Sequence, residues 1–397
     1  MTRDERDALI AWSAIAEPAD VVAGALVDAL GAGAALDWVI SGRERLAHVA
    51  ARVAEIAGPD LARAAARAHE RWAARIDRTD EPHERRTRAV GGRVVTRQDP
   101  GWPRVMQDLG QMQPFALYVR GAEDLDALWG GSVAVVGSRS ATSYGAYVAG
   151  DIAHGVAGAG RAVISGGAYG IDAAAHRAAL ANDSVTIAVM AGGVDRLYPV
   201  GNDDLLKRIA SSGAVVSEVP PGFAPHRSRF LSRNRLIACT SATVVVEAAV
   251  RSGALSTARH AAELLRPVGA VPGPVTSASS AGCHSLVREG AAVLVTGADE
   301  VLELAAPLTE ARGMPDLDNG EGGQGHFRVN FGSPGERKMF DVLTRRDKAV
   351  AAAAAAAGLS LDEARAALGA LEAAGLVERH HSGWRRAEAR MPVEKGI

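Results

Sequence analysis

Val133-Ala134-Val135-Val136-Gly137-Ser138-Arg139-Ser140 carries the pattern on which the fold turns: four apolar residues, a glycine, then small and basic polar residues. The pattern recurs. Residues 162–164 run into Ser165-Gly166-Gly167, 186–190 into Ala191-Gly192-Gly193, and 214–216 into Ser217-Glu218. Residues 243–246 run into Glu247, 268–271 into Pro272-Gly273, and 293–295 into Thr296-Gly297. Helical stretches lie between most of these runs. Apolar runs without alternation are strands covered on both faces, and strands alternating with helices build an α/β fold with a doubly wound, mostly parallel sheet. In such a sheet the carboxyl ends of the strands form the binding crevice. The small and polar residues of this chain recur at those ends.

Outside this region the texture changes. Residues 1–75 read as a small helical domain. Thr2 with Glu5 makes a capping-box start, Leu9, Ile10, Trp12 and Ile15 supply an apolar face, and Gly31, Gly33 and Gly58-Pro59 break the pattern between helices. Residues 76–310 hold the α/β domain, preceded by a polar stretch, Trp102-Pro103 and the apolar run Phe115-Ala116-Leu117-Tyr118-Val119. Residues 311–335 contain seven glycines with acids between them and read as a flexible linker. Residues 336–390 offer a helix near 336–343, an alanine run at 349–357 and a third helix capped by Ser360 and Glu363. Leu376-Val377 and Trp384 then suggest a hairpin around Ser382-Gly383. Three short helices and a hairpin match a winged helix.

The chain has 397 residues and a formal charge of -2, so two or three domains are expected. Cys239 and Cys283 form neither a metal-ligand spacing nor a disulfide framework and point to a reducing cytoplasm. The charged N-terminus lacks an apolar signal core, and no run reaches the roughly 18 apolar residues of a membrane span. The expectation is a cytoplasmic protein with no membrane, metal or cofactor.

Against this neutral background, His226-Arg227-Ser228-Arg229-Phe230-Leu231-Ser232-Arg233-Asn234-Arg235 places four arginines within nine positions, with no acid between Glu218 and Glu247. Ser232 reads as an N-cap, which puts Arg233 and Arg235 in the first turn of a helix. Cations there oppose the helix dipole by about 0.3 kcal/mol or more each. A bound polyanion would relieve that cost; pairing with distant acids is the alternative. Phe230 reads as a core residue.

The glycine turns suit phosphates. Gly137-Ser138-Arg139 opens a helix, with backbone N–H groups, a hydroxyl and a guanidinium available to an anion. The turn at Gly137 does not carry G-x-G-x-x-G, which argues against NAD, and the chain has no G-x-x-x-x-G-K-[ST], which argues against a P-loop. Gly166 and Gly167 let backbone approach a ligand, and Gly170 opens the next helix. Asp172 sits in the first turn of that helix and His176 one turn on, a pair too isolated to argue for catalysis. Arg196 follows Gly192-Gly193, and Tyr198 either stacks on a base or packs over its loop. Ser252, Gly253 and Thr257 form a further donor-rich helix start after Arg251.

Taken in order, these turns resemble the DNA-processing protein A family (DprA, also called Smf). The resemblance rests on Val135-Val136-Gly137-Ser138-Arg139, Gly170-Ile171-Asp172-Ala173-Ala174-Ala175-His176 and Asp195-Arg196-Leu197-Tyr198-Pro199. It continues in Arg233-Asn234-Arg235-Leu236-Ile237-Ala238, Val246-Glu247-Ala248 with Arg251-Ser252-Gly253-Ala254-Leu255, and Val271-Pro272-Gly273 with Gly282-Cys283. It covers roughly residues 100–300. It implies an extended Rossmann-like domain that binds single-stranded DNA, dimerises, and loads a RecA-type recombinase in natural transformation. The flanking parts would be a SAM-like helical domain and a winged helix. Gly137, Ser138, Arg139, Gly170, Arg233, Asn234 and Arg235 would belong to the DNA pocket. Gly166, Gly167, Tyr169, Arg196, Arg229, Ser252, Gly253 and Thr257 join them as candidate contacts.

Two positions depart from the family: Tyr169 stands where a basic residue is usual, and His284 where Asn is usual. The reading is a non-enzymatic single-strand binder with no catalytic residues. The rivals are a lysine-decarboxylase-like phosphoribohydrolase and a winged-helix duplex regulator. The first needs P-G-G-x-G-T-x-x-E, and Pro272-Gly273-Pro274 breaks that motif. The second needs a basic recognition helix, and Asp362, Glu363, Arg365 and Glu372 give mixed charge. Limited proteolysis of the full chain should cut within 311–335 and leave a stable N-terminal fragment. Fragments of that size would be absent from the digest if the segment were buried.

Overall fold

Five helices open the chain: α1 (Glu5–Ile15), α2 (Val21–Leu30), α3 (Ala32–Ile40), α4 (Leu46–Ala57) and α5 (Pro59–Ala73). The computed structural model describes residues 4–41, 46–306, 333–344, 347–373, 376–380 and 383–386. Described residues up to 306 form one compact unit and those from 333 a second. Indoles hold the helices together. Trp12 meets Trp72 edge to face at 5.2 Å, and Trp38 meets Trp72 at 6.5 Å. Thr2 lies outside the described residues, and Glu5 has a different task from the one its spacing suggests. Its carboxylate accepts the N–H groups of Ala32 (2.7 Å) and Gly33 (3.2 Å), capping α3 rather than its own helix. No single described helix is long and apolar enough to cross a membrane. The pair α2 and α3 would pass only together, and it is bent by 113°.

The sheet follows. Its strands are β1 (Gly92–Thr96), β2 (Ala116–Gly121), β3 (Val133–Val136), β4 (Val163–Ser165) and β5 (Thr186–Met190), then β6 (Ala214–Ser217), β7 (Ala242–Val245), β8 (Val268–Ala270) and β9 (Val293–Leu294). Helices α6 (His83–Ala89) and α7 (Leu125–Gly130) flank the first two strands. Then α8 (Ser143–Gly158), α9 (Ile171–Ala181), α10 (Asp203–Ser212), α11 (Arg227–Ala238), α12 (Ala254–Glu263), α13 (Ala281–Arg288) and α14 (Ala298–Ala305) alternate with strands. The order is β1-β2-β6-β5-β4-β3-β7-β8-β9. From β3 to β9 all pairings are parallel, while β2 runs antiparallel to both β6 and β1. The sequence reading left out β1. Its GRVVT run mixes Gly, Arg and Thr with two valines and lacks the wholly apolar texture of the central strands, as suits the edge position it takes.

Two-residue periodicity sorts β3 between layers. Val133 and Val135 pack with Val148, Ile152 and Ala175 of α8 and α9. Ala134 and Val136 pack with Leu236, Ile237 and Ala258 of α11 and α12. The winding reverses between β3 and β7, because β4 to β6 extend the sheet one way and β8 and β9 the other. That is the switch point at which open α/β sheets leave a crevice.

The helical part is tied to the sheet by polar bonds. Ser13 on α1 shares a hydrogen bond with the Tyr118 hydroxyl on β2 (2.8 Å). The second unit comprises α15 (Pro334–Val342), α16 (Val350–Ala357), α17 (Leu361–Ala373) and the antiparallel pair β10 (Val377–His380) and β11 (Gly383–Arg386). The capping box is formed. Ser360 N–H donates to Glu363 Oε2 (2.9 Å) and Glu363 N–H to Ser360 Oγ (3.3 Å). Ser382 and the expected linker through residue 332 lie outside the described residues.

His176 pins α9 to β5. Thr186 Oγ1 donates to Val163 O, so it accepts from His176 Nδ1–H at 2.7 Å. Burial, reinforced by Arg233 and Arg177, pulls the imidazole down to about 3. The native state therefore keeps a neutral ring that the unfolded chain protonates below its ordinary value of 6.5. Stability is complete above pH 6.5 and declines as pH falls toward 3, by about 1.4 kcal/mol per unit. The unfolding midpoint of the wild-type chain should drop more steeply between pH 7 and 4.5 than that of His176→Gln; parallel curves would contradict this.

Candidate nucleic-acid interface

A cavity of about 610 Å3 lies at the carboxyl ends of β3 and β7. Four segments wall it, one of them Ala168 after β4 with Asp172 at the start of α9. The turn after β3 supplies Gly137, Ser138 and Arg139, and α11 supplies Arg227, Phe230, Arg233 and Asn234. The turn into α12 supplies Arg251, Ser252, Gly253 and Thr257. Gly166, Gly167, Tyr169, Gly170, Arg196, Arg229 and Arg235 do not line it.

The glycine turns are answered from within the protein. After β3, Ser138 N–H donates to Glu247 O (2.7 Å), and the Glu247 carboxylate accepts Thr142 N–H (2.9 Å) at the head of α8. After β4, Asp172 Oδ2 accepts the N–H groups of Gly166 (3.1 Å) and Ala168 (3.3 Å). After β5, Asp195 Oδ1 accepts Gly222 N–H (3.0 Å). The expectation that the β3 turn offers backbone N–H groups to a phosphate fails for Ser138 and Ser140, whose N–H groups go to Glu247 O and to Ser138 Oγ (3.1 Å). Gly170 has φ +74, and a Cβ there would collide with the carbonyls of Ser138 and Arg139. It brings the two turns together, with Ile171 N–H donating to Ser138 O (3.1 Å). The two family departures also have structural partners. The Tyr169 hydroxyl accepts Gly201 N–H (3.2 Å), and His284 Nε2 donates to Gly273 O (3.0 Å).

The arginine block is corrected too. α11 begins at Arg227 after His226, six residues earlier than Ser232 as N-cap implies, and Ser232 Oγ bonds back to Ser228 O (3.1 Å). Arg233 and Arg235 therefore lie in the second half of the helix, where cations suit the dipole. Arg235 grips Glu218 with both terminal nitrogens (2.7 and 2.6 Å) and gives Nε–H to Met112 O (2.8 Å). Its side chain is 1% exposed and that of Glu218 5%. Arg229 is paired with both oxygens of Glu17 (3.0 Å each) and lies over Phe223. Burial works against the Glu17 charge, but Arg229 and Arg75 hold its carboxyl below the usual range.

Arg233 is buried at the cavity wall and bonds to Gly166 O and Val189 O, while its Nε has no partner. Burial pulls its guanidinium down to about 10, with Asp172 opposing and Arg139 adding to the effect.

Three cations remain uncommitted around the cavity. Arg139, Arg227 and Arg251 are exposed and make no ion pair among the described residues. Arg139 lies over the Phe230 ring at 5.0 Å, and Tyr198 meets that ring at 5.9 Å. Phe230 is thus half-buried on the cavity wall and not in the core, as sequence suggested. Asn234 Nδ2 donates to Gly253 O (3.3 Å) and fixes α11 against the head of α12. Arg227 and Arg251 are not among the contacts expected from sequence. Once α11 starts at Arg227, residues 227, 230, 231 and 234 share a face by helical spacing, and that spacing was the available signal.

Fold and crevice define a doubly wound α/β protein with an anion-receptive cleft at its switch point. Residues 93–306 match the DNA recombination-mediator protein A family, and the chain belongs to it. It is 44% identical over 320 residues to the DNA processing protein DprA of Mycobacterium tuberculosis, covering 77% of this chain and 80% of that one. It is similar to the Smf protein of Escherichia coli, 43% identical over 192 residues, 48% of this chain and 50% of that one. Among solved structures, DNA processing protein A of Streptococcus pneumoniae is 33% identical with a TM-score of 0.55. That match covers 66% of this chain and 93% of that one.

Removing one partner of a buried ion pair costs about 3–5 kcal/mol. Arg235→Ala should therefore lower the unfolding free energy by that order, read by urea denaturation. Arg139→Ala should stay within about 0.5 kcal/mol of wild type, as exposed positions do. Equal effects of the two would show that Arg235 is not the anchor.

Proposed function

We propose that the chain binds single-stranded DNA in the crevice between β3 and β7 and presents it to a RecA-type recombinase, without turning over a nucleotide. The carrying observation is that Arg139, Arg227 and Arg251 line one cavity with Ser252, Gly253 and Thr257, at a helix head where a Cβ on Gly253 would meet open space. Phosphate contacts of this kind give affinity with little sequence preference. Phe230 and Tyr198, already grouped with Arg139, offer ring faces to unpaired bases. A recess walled by four segments admits the backbone of one strand more readily than a stacked duplex.

Membership of a recombination-mediator family supports the hand-over to a recombinase, the role in natural transformation and the working form as a homodimer. We read the N-terminal helices as a SAM-like domain, the sheet domain as Rossmann-like, and the three helices and hairpin after residue 333 as a winged helix. The acidic first turn of α17, with Asp362 and Glu363, favours a protein partner over duplex for that unit. Both cysteines are free and buried, and burial pushes their thiols up to about 12 and 11. We read the setting as cytoplasmic from two cysteines that form no disulfide framework.

The test is competition between single strands and blunt duplex of equal length, followed by alanine substitution. Each charged hydrogen bond to phosphate contributes about 1.5–3 kcal/mol, so Arg139→Ala, Arg227→Ala and Arg251→Ala should each weaken single-strand binding roughly 10- to 100-fold. Each should also flatten the dependence of log affinity on log salt by about 0.7. Equal affinity for duplex, or three variants that bind as wild type, would refute the reading.

A further inference from the structure

Two helices open onto the switch point, α8 from the β3 side and α12 from the β7 side, and their heads differ. A Cβ added at Gly253, before α12, would meet open space. The head of α8 is filled. Glu247 is 2% exposed. One of its oxygens takes Thr142 N–H (2.9 Å), and the other takes the hydroxyls of Thr142 (2.7 Å) and Ser279 (3.2 Å). Thr142 Oγ1 in turn accepts Gly145 N–H (3.1 Å). A Cβ at Gly145 would run into the Glu247 carboxylate, so glycine there makes the room. Backbone and hydroxyl donors converging on a negative group at a helix head, just after a parallel strand, is the arrangement that holds a nucleotide phosphate in sheets of this kind. Here the negative group belongs to the chain itself, and it comes from the strand across the switch point.

We propose that Glu247 is a resident anion that occupies the phosphate position at the head of α8 and sets the chain's selectivity against mononucleotides and dinucleotides. The carboxylate satisfies the donors, complements the helix dipole, and leaves no volume for a phosphoryl group. The inference goes beyond the single-strand reading and does not depend on it, since that reading concerns the head of α12.

The experiment uses the full chain and Glu247→Ala, with acetate and inorganic phosphate as anion probes and chloride at matched ionic strength as control. Leaving these donors unpaired should lower the unfolding midpoint of the variant by about 5 °C or more. Acetate or phosphate should restore part of that loss with saturation, while wild type responds to them as it does to chloride. Equilibrium dialysis should show AMP binding at least tenfold tighter to the variant than to wild type. Failure of both anions to outperform chloride on the folded variant would overturn the proposal, as would AMP binding equally to the two proteins. Glu247→Gln covers the case in which the alanine variant does not fold, because it keeps the bulk and removes the charge. Its midpoint should lie below wild type, and a glutamine variant as stable as wild type overturns the proposal. Single-strand binding by wild type, measured in parallel, reports separately on the functional reading.

Discussion

The crevice depends on the ion pair between Arg235 and Glu218. Glu218 ends the run of β6, Arg235 sits late in α11, and Met112 supplies a carbonyl from the segment before β2. With Arg235 held at both ends of its guanidinium, α11 has one rotation available. That rotation turns Arg227, Phe230 and Asn234 to the cavity and Arg229 toward Glu17. A buried pair gains little net stability, because desolvation offsets most of the attraction. Its contribution here is orientation: it fixes which face of a cationic helix meets the crevice.

Charge in this protein is sorted, not scarce. The whole chain is near neutral, yet carboxylates at the strand ends turn inward to backbone N–H groups while guanidiniums remain at the cavity rim. Glu247, Asp172 and Asp195 each satisfy a glycine-rich turn. The result is a local positive field at the mouth of a low-dielectric cleft, which net charge does not reveal.

Much of this was legible in the sequence. Strands β3 to β9 announce themselves as apolar runs ending in small residues, and their alternation with helices leaves few arrangements open. The crevice position follows from the same pattern. Side-chain partnership was not legible. Glu17 lies more than two hundred positions from Arg229, and no local rule links them. The start of α11 was misplaced because Ser232 has the chemistry of a cap, whereas His226 in extended backbone begins the helix. Glycine turns signal close approach of backbone, but the approaching group can be another part of the same chain, as at Gly170 and Gly145.

The indoles carry a last consequence. Of the six tryptophans, Trp12, Trp38 and Trp72 interlock in the helical part, and Trp102 and Trp129 lie in the core beneath the sheet. Trp384 belongs to the second unit. None lines the crevice, whose aromatic wall is Phe230. Emission from the five indoles of the first unit therefore reads the integrity of the scaffold, and none of those indoles lines the cleft. The optical signature of folding and that of ligand occupancy fall on different chromophores.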